Sequence, residues 1–204
     1  MADTHSKIIA SAAQAELNPL GFRRSGRSRL WIADRGHWLN VVEFTPSRWS
    51  KSVFLTNAAH WLWLGAGFMS FNEIIKSGCH AEFETDDQFR VAMSDIARTA
   101  RANASTLDER FSTSEAIGEF VIDRARSSPD RMGPSWWGYE AGVASGLLGR
   151  HEDASLFLNG VTDERVTKRA APLLGVVEDS DAFRAKVNEL IVQERERLNL
   201  KPLD

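Results

Sequence analysis

Cys79 and His80 stand side by side, where a thiol and an imidazole meet in sequence. A catalytic thiol needs a lowered pKa and a base within reach. Neighbours on a strand point to opposite faces, so His80 is badly placed to activate Cys79. His60 could reach it only through the fold. A small buried cysteine is the simpler reading. His37, His60, His80 and His151 are scattered, with neither His-x-x-x-His nor Cys-x-x-Cys spacing, so no metal site is expected. Glu82, Glu84, Asp86 and Asp87 form an acidic run that suits a strand-to-helix junction, where carboxylates favour the start of a helix. Gly65-Ala66-Gly67 lacks the lysine and the further glycine of a phosphate loop, and no cofactor is expected.

The remaining candidates are cations. Arg23, Arg24, Arg27 and Arg29 lead to Trp31, a set that could hold an anion beside an aromatic platform. Residues 20–51 hold seven basic and two acidic side chains, a local charge of +5 that leaves −8 for the remainder of a chain of net charge −3. The overall sign argues against general nucleic-acid affinity. An acidic protein or a small anionic ligand is the better match for the basic stretch. A solvated sheet edge, kept from pairing by its charge, accounts for the same residues without a ligand.

Two function classes follow. One is a non-enzymatic interaction protein that meets an acidic partner with its basic strand. The other is a small hydrolase or nucleic-acid-modifying enzyme, with a site near His60, His80 and the Glu82–Asp87 run. Convergence of those side chains in one pocket would separate them.

Certain elements must position these residues. The 204 residues are 43% hydrophobic and 26% charged, ordinary for a globular chain with a real core. Seven Trp accompany one Tyr, which implies a Trp-rich core or a Trp-lined groove. A single Cys excludes an internal disulfide framework and suits a reducing cytoplasm. The N-terminus does not read as a signal peptide, and the longest apolar run, Ala58 to Met69, is too short to span a membrane. Oligomeric state is not legible.

Residues 4–17 carry a helical stripe that ends at Asn18-Pro19. Strands are expected at Arg27–Ala33, Trp38–Thr45 and Val53–Leu64, with a turn at Asp34-Arg35-Gly36-His37 and Pro46 closing the second. Residues 65–78 have no clear pattern. Cys79–Glu84 suits a fourth strand. Thr85 and Gln88 have capping-box spacing ahead of a helix over Asp86–Ala104. A further helix starts near Ser114, and Pro129, Gly133, Pro134 and Gly138 mark a boundary loop over residues 127–138. Beyond Tyr139 the chain reads as helices over Tyr139–Leu148, His151–Gly160, Glu164–Leu174 and Asp181–Leu198. The expectation is an α+β fold, with an N-terminal helix on a three- or four-stranded antiparallel sheet and a helical C-terminal half. The division is residues 1–126 and 127–204, packed as one unit.

The order helix, Gly21-Phe22, basic Arg23-Arg24, Gly26, Trp31, then strands carrying Asn40, Phe44 and Ser47 and Phe54 and Asn57, resembles an uncharacterised bacterial family, domain of unknown function family 4304. The likeness covers about residues 5–64. Glu43-Phe44-Thr45-Pro46-Ser47 departs from it, since that strand should carry a Gln near its end. The resemblance implies a bacterial α+β protein and assigns no activity.

Overall fold

The computed structural model describes residues 4–47, 50–128 and 135–202. Arg48 and Trp49, and the boundary-loop residues Pro129, Gly133 and Pro134, lie outside them. The chain divides into two compact units, Met1–Trp61 with Met69–Glu109, and Leu62–Phe68 with Arg110–Asp204. The expected division follows residue 126; the two units meet at Glu109, and the helix starting at Ser114 packs with the helices of the second unit.

The first unit is the α+β part. Helix α1, Thr4–Leu17, buries Ile8, Ile9, Ala13 and Leu17, the stripe legible in sequence. Asn18-Pro19 converts its end into a short 3-10 turn. Gly21 follows at φ +82°, a left-handed conformation that glycine adopts without strain. Its N–H donates to Asn18 O at 2.9 Å, and the reversal turns Phe22 into the core.

Six antiparallel strands follow: β1 Arg23–Arg24, β2 Leu30–Asp34, β3 Trp38–Pro46, β4 Ser52–Trp61, β5 Glu73–Ile75 and β6 His80–Glu82. Their order is β1-β2-β3-β4-β5, with β6 also paired to β4. Register fixes the faces. Trp31 lies opposite Val42, Phe44 opposite Leu55, Asn40 opposite Ala59 and Val42 opposite Asn57, all on one face. That face meets α1 and α2 (Asp86–Arg110), whose Phe89, Met93, Ile96, Ala100 and Ala104 join Trp31, Val42, Phe44, Val53 and Leu55 in one apolar cluster.

Three boundaries of this unit differ from expectation by three residues or more. Strand β2 begins at Leu30, not Arg27, because Ser25–Ser28 form a turn: Gly26 sits at φ +57° and the Ser28 hydroxyl donates to Ser25 O at 2.6 Å. Strand β4 ends at Trp61, and Leu62–Leu64 tighten into a 3-10 turn that belongs to the second unit. Helix α2 runs past Ala104 to Arg110, since Leu107 extends its buried face.

The second unit is helical: α3 Ser114–Ser127, α4 Trp136–Leu147, α5 His151–Asn159, α6 Glu164–Leu174 and α7 Ser180–Arg197. Thr113, Asp163 and Asp179 cap α3, α6 and α7 by accepting from first-turn N–H groups. Helix α4 is buried on all sides from Gly138 to Gly146. Close approach requires its glycines: a Cβ on Gly146 would lie 2.3 Å from the Phe183 ring. Among the described residues no helix is long and apolar enough to cross a membrane.

Candidate anion-binding site

The structure divides the five residues singled out in sequence. Arg23, Arg24 and Trp31 line a cleft of about 570 Å³, closed on one side by Ala10, Gln14 and Asn18 of α1 and the turn after it. Trp31 is 4% exposed and its ring belongs to the core cluster, so it forms the floor of that cleft rather than a stacking platform in solvent. Arg24 is spent on its own loop, its Nε donating to Ser28 O at 2.6 Å and its Nη2 to Arg27 O at 3.1 Å. It staples the β1–β2 turn. Arg23 and Arg27 are exposed, and neither side chain makes an ion pair or hydrogen bond among the described residues.

The alternation predicts that Arg27 and Arg29 share a strand face. They do not, because the strand starts after both. Arg27 stays on the turn. Arg29 is half-buried, donates Nη2 to Ser6 Oγ at 3.1 Å, and lines a different cleft of about 590 Å³. There it meets His5 from the first turn of α1, Ser50, Lys51 and Ser52 from the segment leading into β4, and Asp86 from the start of α2. The segment is held by its own bonds. Ser47 N donates to Ser52 O at 2.8 Å, and the Ser50 and Ser52 hydroxyls lie 2.7 Å apart. Phe83 N donates to Lys51 O at 2.7 Å, and Lys51 Nζ lies 5.7 Å from the Phe83 ring centre. His5 stacks on Phe89 at 4.5 Å between ring centres. No spacing in the sequence joins Lys51 and these serines to residues 5, 29 and 86, which share the cleft with them.

The enzyme reading fares differently. His80 pairs with Phe54 across β6–β4 and stacks on its ring. His60 lies six residues further along β4, roughly 20 Å away at strand rise. It is 1% exposed, with Nδ1 2.9 Å from Ser70 O. Of the acidic run only Asp86 reaches the larger cleft; Thr85 Oγ1 accepts from Gln88 N at 3.2 Å, which caps the helix. Those side chains are not brought together. Cys79 Sγ lies 3.7 Å from Ser77 O, with no imidazole bonded to it among the described residues. Among the described residues no group of His, Cys, Asp and Glu is placed to hold a metal ion. In the second unit, burial pushes the Tyr139 phenol well above its usual range, so it stays neutral.

What the arrangement can do chemically is hold negative charge. The first unit offers two exposed cations on a stapled turn, and two more, Arg29 and Lys51, in a cleft lined by hydroxyls. No protein-family model, curated protein or solved structure matches this chain.

Proposed function

We propose that this is a non-enzymatic cytoplasmic interaction protein that meets an acidic partner with the β1–β2 edge of its α+β unit. The observation that carries the reading is the pair Arg23 and Arg27. Both are exposed and neither is neutralised by an ion pair among the described residues. Each would therefore gain a partner on association without first losing one. Arg24 supports the reading from below, because its bonds to Arg27 O and Ser28 O fix the turn that displays Arg27. Pre-fixed cations lose less conformational freedom on binding than a mobile loop would. Charge complementarity of this kind acts mainly on encounter and specificity, so binding should be strongly sensitive to salt.

A labelled Glu-rich peptide and a labelled oligonucleotide, titrated at low salt and read by anisotropy, test this. The expected result is peptide binding that disappears near 0.5 M salt, where screening lengths fall to about 4 Å, and that is lost in the Arg23→Ala/Arg27→Ala variant. Oligonucleotide binding tighter than peptide binding would replace the protein partner with nucleic acid. Peptide affinity that survives the double replacement would remove this edge from the site.

A further inference from the structure

We infer that the cleft between α1, the start of β4 and the start of α2 is a separate site for a phosphate monoester. The ligand is a doubly charged tetrahedral group carried on a small molecule or on a phosphorylated side chain. Geometry begins with the directions in which donors arrive. A flat carboxylate is satisfied by one guanidinium fork. A phosphate monoester has three terminal oxygens and needs donors from several sides. Here they come from separate stretches of chain: Arg29 from the residue preceding β2, and, where β4 begins, Lys51 with the one O–H of the Ser50–Ser52 pair that their mutual bond leaves over. Arg29, whose Nη2 is held by Ser6 Oγ, brings a guanidinium charge and Lys51 a point charge, the two kinds of cation that phosphate sites combine.

The cleft is built rather than incidental. Ser52 is buried, and its hydroxyl is held 2.7 Å from that of Ser50, so the two oxygens have a fixed spacing. Arg29 is anchored through Ser6 of α1, and its backbone oxygen accepts from Phe44 N at 3.1 Å. Lys51 is flanked by the Phe83 ring, and its backbone oxygen accepts from Phe83 N. The volume, about 590 Å³, exceeds what a bare phosphate fills, which leaves room for the group that carries it. Asp86 faces the same space and opposes part of the positive charge. Its carboxylate weakens binding of a dianion and can accept a hydrogen bond from a hydroxyl or N–H on the carrier. That makes Asp86 the informative residue, because its removal should strengthen the site.

Calorimetric titration of the full chain with inorganic phosphate, glycerol 3-phosphate, a seven-residue phosphoserine peptide and its unphosphorylated copy tests the inference. Binding of either ester, with none of the unphosphorylated peptide, is expected. Whichever ester binds tighter identifies the carrier. Lys51 is exposed and its replacement should leave the fold intact. Lys51→Ala should therefore weaken binding by about tenfold, the cost of one charge-assisted hydrogen bond. Asp86→Asn should tighten it. Arg23→Ala/Arg27→Ala should leave it unchanged, which separates this site from the β1–β2 edge. No binding of either ester, equal binding of the two peptides, or an affinity unmoved by Lys51→Ala would overturn the inference, as would weaker binding in Asp86→Asn.

Discussion

Asn40 is the residue whose replacement should report most directly on how sheet and helix are joined. It is 0% exposed on β3, in the middle of an otherwise apolar face. Its Nδ2 donates to Ala104 O at 2.8 Å and to Asp108 Oδ1 at 2.9 Å. Asp108 also accepts from Arg35 Nε at 2.7 Å and Nη2 at 2.6 Å. Asn40→Ala removes one neutral and one charge-assisted bond, worth about 1 and about 1.5–3 kcal/mol, and leaves their acceptors without this donor. Asp108 and Arg35 side chains are each 27% exposed, so water recovers part of the second. The expected cost is about 2–3 kcal/mol, on the order of 10–20 °C in the melting temperature of a unit of about 100 residues. Asn40→Asp is the sharper variant. It sets a second carboxylate against Asp108 and against a backbone carbonyl, so burial and like charge should raise its folded pKa above the ordinary ~3.9. The folded state then binds more protons than the unfolded one. Stability of the variant relative to the parent should be highest below pH ~4 and fall as pH rises through the raised value. Urea unfolding followed by tryptophan fluorescence reads both, since Trp31, Trp38 and Trp61 lie in this unit's interior. A cost under about 0.5 kcal/mol for Asn40→Ala, the range of an ordinary surface substitution, would refute the network as a joint. So would a pH-independent penalty for Asn40→Asp.

Four further outcomes are expected. Phe22→Ala should cost about 3–5 kcal/mol, because the side chain is 2% exposed between α1 and the sheet, and an unchanged denaturant midpoint would remove it from the core. Gly146→Ala should destabilise the helical unit by about 1–3 kcal/mol by driving a methyl into Phe183, with Gly146→Ala/Phe183→Leu recovering part of the loss in the same unfolding assay. Thr113→Ala should cost about 1 kcal/mol, since Thr113 Oγ1 accepts from Ala116 N at 3.1 Å, and Thr113→Ser should restore it. Hydrogen bonds from the Arg165 side chain and backbone lower the Asp163 carboxyl to about 2, so its contribution to capping α6 should persist above pH ~4 and fade as pH drops towards 2, a loss absent in Asp163→Asn when amide exchange in α6 is followed.

Apolar periodicity makes most of the fold legible. The stripes of α1, α2 and α7 depend on side chains whose burial is decided one element at a time. Polar residues at element ends are harder. Sequence places the end of α2 at Ala104, where the apolar stripe from Phe89 to Ala100 runs out. In the fold Asn103 donates Nδ2 to Asn57 Oδ1, and Asp108, in the added turn, accepts from Asn40, so polar residues of the helix hold the sheet. Asn57 works the same way, donating Nδ2 to Ala100 O at 2.9 Å. Two asparagines on adjacent strands thus meet the carbonyls of one helix. This gives a physical account of Asn40 and Asn57 in the sequence pattern that needs no ligand.

The basic stretch shows the opposite failure. Four arginines within seven residues read as one surface when sequence proximity stands in for spatial proximity. A glycine turn at Ser25–Ser28 breaks the period of two on which that reading relies, and Ser25-Gly26 is the visible warning. Once the period is broken, the arginines part company. Arg24 closes the turn, Arg23 and Arg27 face solvent, and Arg29 turns back towards α1. The cleft that Arg29 enters gathers residues 5, 29, 50–52 and 86. No local spacing rule joins those positions, because strand pairing and the landing point of α1 on the sheet bring them together. Part of the signal is still local. Ser50-Lys51-Ser52 places a cation between two hydroxyls where β4 begins, ahead of a largely buried strand interior. A sheet buries that interior and leaves its lead-in at the rim, where a cation can be both fixed and wet. Chemistry at such a rim depends on what the next element delivers to it, so the cation is legible in sequence and its partners are not.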